Sequence, residues 1–258
     1  MNQDIDIKKL DPIVKAIVKA IKKGCDEDTH VYLSTTNNAT NNALKFMRAD
    51  FINTNLRDSV ASEVVELKYF KRRSWVGCLL IDRENKVTFT ICSKSTLDSI
   101  PKKTDRKSPH FLQTLLHVQN SKVEVKNKQL SFFDVTPNLK TEFSDEDYKE
   151  DYVKIMGEDL IPEDEYLHLV IAYETSYFGI KSISMLVLDK DFQIATEYPL
   201  TRFLHPDFAE LTRQEEIFQE NDVHNLIKVK PVLGRKKRDS SNHGAIISAK
   251  RKKEQKQI

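Results

Sequence analysis

Two blocks of alternating apolar and polar positions organise this chain. In the first, Val65, Leu67 and Tyr69 point one way while Val64, Glu66, Lys68 and Phe70 point the other. Successive side chains of a strand face opposite sides, so residues 63–70 predict a half-buried strand. Trp75 to Ile81 is almost continuously apolar, as a strand covered on both faces would be. Asp82-Arg83-Glu84-Asn85 supplies turn residues. Lys86 to Cys92 alternates again, with Val87, Phe89 and Ile91 on one side. The block predicts three antiparallel strands joined by short connections. The second block has the same outline: apolar Leu167 to Tyr173, then Gly179 to Leu188, an Asp189-Lys190-Asp191 turn, and Phe192 to Tyr198. No residue-level repeat between the blocks proves duplication.

Helical spacing fills the rest. Asp11 and Pro12 form an N-cap and N1 pair, Ile13, Val14, Ile17, Val18 and Ile21 make an apolar stripe, and Gly24 is a natural stop. Val31 to Ser34 predicts a short strand. An Asn-rich loop follows, then a helix over 40–58 carrying Leu44, Phe46, Met47 and Phe51. Ser93 to Lys107 reads as a polar, basic loop. Ser108-Pro109 caps a helix that runs to Asn120, with Phe111, Leu112, Leu115, Leu116 and Val118 apolar. Residues 122–135 predict a hairpin. Ser144 with Asp145, Glu146 and Asp147 starts a helix whose buried stripe is Tyr148, Tyr152, Val153 and Met156. A final helix over 206–218 and a closing strand over 226–230 complete a body of residues 1–233, with a sub-boundary near 136–165 left open. From Gly234 little can pack, so residues 234–258 predict a disordered basic tail. The fold class is α+β, with one or two antiparallel sheets flanked by helices.

Charge changes the picture more than composition does. The formal net charge is only +2. Yet residues 1–141 carry 24 Lys/Arg against 16 Asp/Glu, and 142–165 carry 2 against 11. Residues 166–227 carry 4 against 10, and the remainder 11 against 2. Such segregation suits a nucleic-acid partner or pairing between the chain's own halves. The cationic candidates are Arg72 and Arg73, then Lys102, Lys103, Arg106 and Lys107 before a helix N-terminus, where free N–H groups favour anions. The tail adds Arg235, Lys236, Lys237, Arg238, Lys250 and Arg251. No run approaches the roughly 18 apolar residues of a membrane span. The charged N-terminus does not read as a signal peptide, and three cysteines make no disulfide framework, so the expected compartment is the cytoplasm.

Two constellations could carry chemistry. Glu66-x-Lys68 has the E-x-K form of a nuclease metal site, with Asp58 and Asp82 as conceivable partners. Alternating Glu and Lys on an outer strand face is also commonplace. Arg106 and His110 at a helix start suit a metal-independent ribonuclease, His110 as acid or base and Arg106 on the phosphate. His110 and His117 are two helical turns apart, about 10 Å, too far to share one metal. The cysteines lack metal-ligand spacing, and six glycines build no phosphate-cradling loop. No cofactor is expected.

The set Arg48 to Asp58, Phe70 to Trp75, Pro109 to Asn120 and His168 to Glu174 resembles an uncharacterised family of Gram-positive bacterial and prophage proteins, over about residues 10–233. The resemblance implies a mobile-element setting, where nucleic-acid handling, phage defence and toxin–antitoxin modules are frequent, and carries no catalytic residue over. Three readings follow: nucleic-acid binding through the basic surface and tail, a toxin-like nuclease, or a protein-binding module. In the last, the acidic segment docks a basic partner such as a helix-turn-helix antitoxin.

Overall fold

A computed structural model describes residues 7–62, 64–125, 143–157, 159–162, 165–176 and 179–204. The predicted hairpin at 122–135 lies largely outside these residues. The final helix, the closing strand and the tail lie wholly outside them.

Six strands form one sheet in sequential order: β1 (Val65–Arg72), β2 (Trp75–Asp82), β3 (Val87–Ser93), β4 (Leu167–Ser176), β5 (Gly179–Leu188) and β6 (Ile194–Pro199). Each block of the sequence is an antiparallel meander. The two meanders join through β3 and β4, which run parallel from Val87 opposite Leu167 to Ser93 opposite Tyr173. A parallel pair needs a long crossover. Here it carries α4 (Lys94–Ser99), α5 (Phe111–Gln119) and α6 (Asp145–Met156). The α+β class therefore takes the form of one mixed, mostly antiparallel sheet.

Helices cover both faces. On one, α1 (Ile7–Lys23) and α3 (Leu44–Ser59) bring Val14, Ile17, Ile21, Ile52 and Leu56 against Leu80, Phe89, Leu169, Ile171 and Met185. On the other, Leu112, Leu115 and Leu116 of α5 and Tyr152, Ile155 and Met156 of α6 pack on Leu79, Ile81, Val170 and Leu186. Each fully buried aliphatic side chain contributes about 1.5–3 kcal/mol of transfer free energy. The second half of β2, Leu79 to Ile81, thus has apolar cover on both faces, as its sequence predicts, while Trp75 and Val76 at its start are exposed.

Several local expectations are corrected. α1 begins by Ile7, so Pro12 lies inside it rather than at its first turn. Gly24 does not stop the chain. A Cβ there would lie 2.9 Å from the Ile52 backbone nitrogen, so the glycine serves the close approach of α3. The helix passes into a π-helical turn, Gly24–Asp28, and on into α2 (Thr29–Thr35). Thr29 Oγ1 donates to Gly24 O at 2.8 Å and helps hold that turn. Val31–Ser34 is therefore helix, with Val31 exposed. The expected loop at 93–107 contains α4, capped by Ser93, and buries Leu97 and Ile100. In α6 the cap is Ser144, in a capping box with Asp147, but Val153 faces solvent and Ile155 takes its place.

The alternate positions of β3 also depart from the simple pattern. Thr88 and Thr90 are buried, because α5 and α6 cover a face that the alternation reads as polar. Thr90 Oγ1 is buried without a hydrogen-bond partner among the described residues, whereas Thr88 meets polar groups of the crossover and of β4. Thr88 Oγ1 donates to Gln119 Oε1 at 2.6 Å, so the His168 Nδ1–H, 2.7 Å away, donates to Thr88. Asn120, fully buried, donates to the carbonyls of His168 and Leu188 and accepts the His168 N–H. One side chain at the end of α5 thereby satisfies three backbone groups of β4 and β5.

His168 Nε2 is buried without a partner. Burial pushes its pKa from 6.5 down to about 3, because a second proton would have no acceptor. The unfolded chain binds that proton at higher pH than the folded one. Stability is therefore complete above about pH 6.5 and falls as pH drops toward 3. By linkage the loss approaches about 4 kcal/mol at the bottom of the window. Denaturation of His168→Gln across this range should show a shallower fall with acid than the parent chain.

Candidate functional site

Where β1 turns into β2, the chain makes a two-residue hairpin. Arg72 pairs with Trp75 across the strands, and Arg73 takes a positive φ of 52° at the tip. Facing the hairpin is the segment that enters α5. Together they enclose a cleft of about 460 Å³ lined by Arg72, Arg73, Trp75, Phe111 and residues 105–110.

Its floor is aromatic. Phe70 lies across from Gly77. A Cβ on Gly77 would fall 2.3–2.7 Å from the Phe70 ring, so the glycine is what lets that ring lie over β2. The Phe70 ring meets Trp75 edge-on at 5.8 Å and Phe111 at 5.2 Å. Trp75 rests on Phe111, 5.4 Å between centroids at 33°, and His110 packs on the far partner at 4.5 Å. Phe70 and Phe111 are buried, but Trp75 keeps 44% of its surface exposed. Solvent contact of that size on the chain's single Trp is unusual for a residue that could have packed wholly inside.

The wall is held by Arg72. Its Nη1 donates to Pro109 O at 2.8 Å and its Nη2 pairs with Asp151 of α6. Asp151, itself buried, also accepts from Thr114 of α5. Arg72 is therefore a structural cation, locked between β1, α5 and α6. Arg73, Arg106 and Lys107 differ: among the described residues they form no ion pair and no side-chain hydrogen bond. Burial lowers the pKa of Arg106, the expected cost of a guanidinium without a carboxylate partner, with nearby Asp105 acting in the opposite sense. An arriving anion would relieve that cost.

His110, not Ser108-Pro109, caps α5: its Nδ1 accepts from Leu112 N at 3.2 Å. Burial first, then the positive charges of Arg106, Arg72 and Lys103, push its pKa down to about 3. At neutral pH the ring is uncharged, with Nδ1 committed to the cap. Lys102 and Lys103 lie in the turn after α4 and do not line the cleft.

Glu66 and Lys68 share the α6-facing side of β1, apart from the cleft. Glu66 accepts from Arg83 at 2.7 Å, and Lys68 pairs with Asp159. Asp82 accepts the N–H groups of Glu84 and Asn85 in its turn, and Asp58 pairs with Arg57. Among the described residues, no group of three or more His, Cys, Asp or Glu side chains could hold a metal ion. Burial raises the thiols of Cys25, Cys78 and Cys92 to about 12, so none is a thiolate at neutral pH. No helix among the described residues is long and apolar enough to cross a membrane.

The charge segregation has a partly internal explanation. Asp151, Asp159 and Glu165 of the acidic segment pair with Arg72, Lys68 and Lys122 of the basic one. Sequence reasoning singled out Arg72, Arg73, Arg106, Lys107 and His110, which line this one cleft, but not Asp151, an acid on the buried stripe of α6. It also gave no role to Trp75 or Gly77.

Breaking the Arg72–Asp151 pair should be costly in a specific way. Asp151→Ala leaves a partly buried guanidinium without its carboxylate and is expected to cost about 3 kcal/mol in chemical denaturation. The double variant Arg72→Met, Asp151→Leu should regain most of that loss, because no charge then stays behind.

Comparison with curated proteins and with solved structures returns no match. A family model does match, over residues 6–248. The chain belongs to this family of unknown function, DUF5986.

Proposed function

We propose that the chain is a cytoplasmic nucleic-acid-binding protein of a mobile element, and that the cleft between the β1–β2 hairpin and the start of α5 is its binding surface. One observation carries the reading: three cations without an ion pair or side-chain hydrogen bond among the described residues, Arg73, Arg106 and Lys107, line the same cleft as an exposed Trp75 on a packed aromatic floor. Phosphates draw on the cations, and bases draw on the ring. The tail clusters at Arg235–Arg238 and Lys250–Lys253 add a second, weakly specific attraction. The mobile-element setting rests on the resemblance to prophage and Gram-positive proteins.

A nuclease is the second reading, because Arg106 and His110 line the same cleft. With Nδ1 accepting from Leu112 N, the neutral His110 carries its one hydrogen on Nε2. Its only lone pair is committed to the helix cap, so it is poorly placed as a general base; uncharged at neutral pH, it is also a weak acid. Cleavage of RNA by the full chain, abolished in a folded His110→Ala variant, would establish it. The acidic segment is less suited to docking a basic partner, since several of its acids already serve the chain itself.

The test is binding of labelled DNA and RNA across a salt series. The full chain is used with both tail clusters changed to glutamine, with and without Arg73→Ala, Arg106→Ala and Lys107→Ala. The first protein should bind with a steep salt dependence. The triple change should weaken binding and reduce the log–log salt slope by about two. Equal binding and equal slope would remove the cleft from the account.

A further inference from the structure

We infer that the cleft takes an unpaired nucleotide of a single strand, its base stacked on Trp75 and its phosphates held by Arg73, Arg106 and Lys107. This rests on the nucleic-acid reading above and adds which form of nucleic acid the site selects.

The argument is geometric. One side of the Trp75 indole is backed by Phe111 at 5.4 Å, and its edge is fixed by Phe70 at 5.8 Å. These two contacts pack one side and one edge of the ring, and 44% of the residue is left to solvent. Phe70 in turn is seated against Gly77, where any larger residue would displace it. This is a supported stacking surface, not a loose surface aromatic. A cleft of about 460 Å³ falls within the range of about 300–1,000 Å³ typical of small-ligand pockets. It suits one flipped-out nucleotide and not the convex surface of a duplex. In a duplex the base faces are already stacked, so Trp75 would gain nothing. In a single strand each base offers a free face, and stacking on an aromatic ring is sequence-tolerant. His110, uncharged and packed on Phe111, adds a wall without repelling the cations beside it. Arg73 at the hairpin tip and Arg106 with Lys107 on the opposite segment give phosphates on either side of that base a partner.

The chain holds one Trp, so its emission reports on the cleft alone. The experiment titrates the full chain with a short oligo(dT) strand, with a mixed-sequence duplex of equal length, and with thymidine monophosphate. Trp75 emission is read alongside anisotropy of labelled strand and duplex. The expected result is quenching by the strand, at concentrations where neither the duplex nor the mononucleotide quenches. Trp75→Ala should weaken strand binding by about tenfold or more while leaving duplex binding unchanged. Trp75→Phe, which keeps a ring, should retain most of the affinity. Strand binding with Trp75 emission unchanged overturns the stacking assignment and leaves the nucleic-acid reading standing. Equal quenching by the duplex overturns the preference for a single strand. Quenching by the mononucleotide as strong as by the strand makes the ligand a free nucleotide and overturns the proposal. Absence of any binding removes the nucleic-acid reading, and this inference with it.

Discussion

The pairing of Arg72 with Asp151 is the constraint on which the candidate site depends. It ties the last residue of β1 to the middle of α6. Through Pro109 O and Thr114 the same pair fixes the entry and first turns of α5. A partly buried ion pair is a poor source of net stability, because desolvation consumes most of its attraction. What it supplies is position. Three elements far apart in sequence must meet for both charges to be satisfied, and the cleft is the space they leave. Arg73, one residue further on, is carried to the hairpin tip by the same geometry.

The rest of the fold serves that arrangement. Because β3 and β4 are parallel, α5 and α6 must cross one face of the sheet, which brings them to the end of the β1–β2 hairpin. Asn120 anchors the far end of α5 to β4 and β5 through backbone groups. His117 stacks on Tyr148 at 3.9 Å and adds a second tie between α5 and α6. The hairpin is therefore met by a helix pair fixed at several points. Its aromatic floor persists because Gly77 leaves room for Phe70.

Much of this was legible in the sequence, and the limits have physical causes. The six strands appeared as period-two alternation or as continuous apolar runs, and their faces were read correctly for β1 and for Val87, Phe89 and Ile91 of β3. Thr88 and Thr90 were not readable as buried, because burial there depends on which helices cover the face and, for Thr88, on the partners Gln119 and His168 supply. Gly24 read as a stop because local propensity cannot register that Ile52 packs against its Cα. In the cleft, the cations announced themselves by charge. Which of them lack a partner among the described residues was not legible, since Arg72 and Arg73 are neighbours with different surroundings, and Asp151, which pairs with Arg72, lies almost 80 residues away. Gly77 between Val76 and Cys78 was the one signal that could have located the aromatic floor, as a strand glycine often marks close approach.

The central claim is that nucleic acid occupies this cleft on the folded body. Ultraviolet cross-linking of the full chain to single-stranded DNA, with the attachment sites mapped by mass spectrometry, tests it most directly. The account predicts adducts on Trp75 and on the segment from Arg106 to Phe111, lost when excess unlabelled strand competes. Adducts confined to the tail clusters or to β6, with none at Trp75 or in that segment, would contradict it.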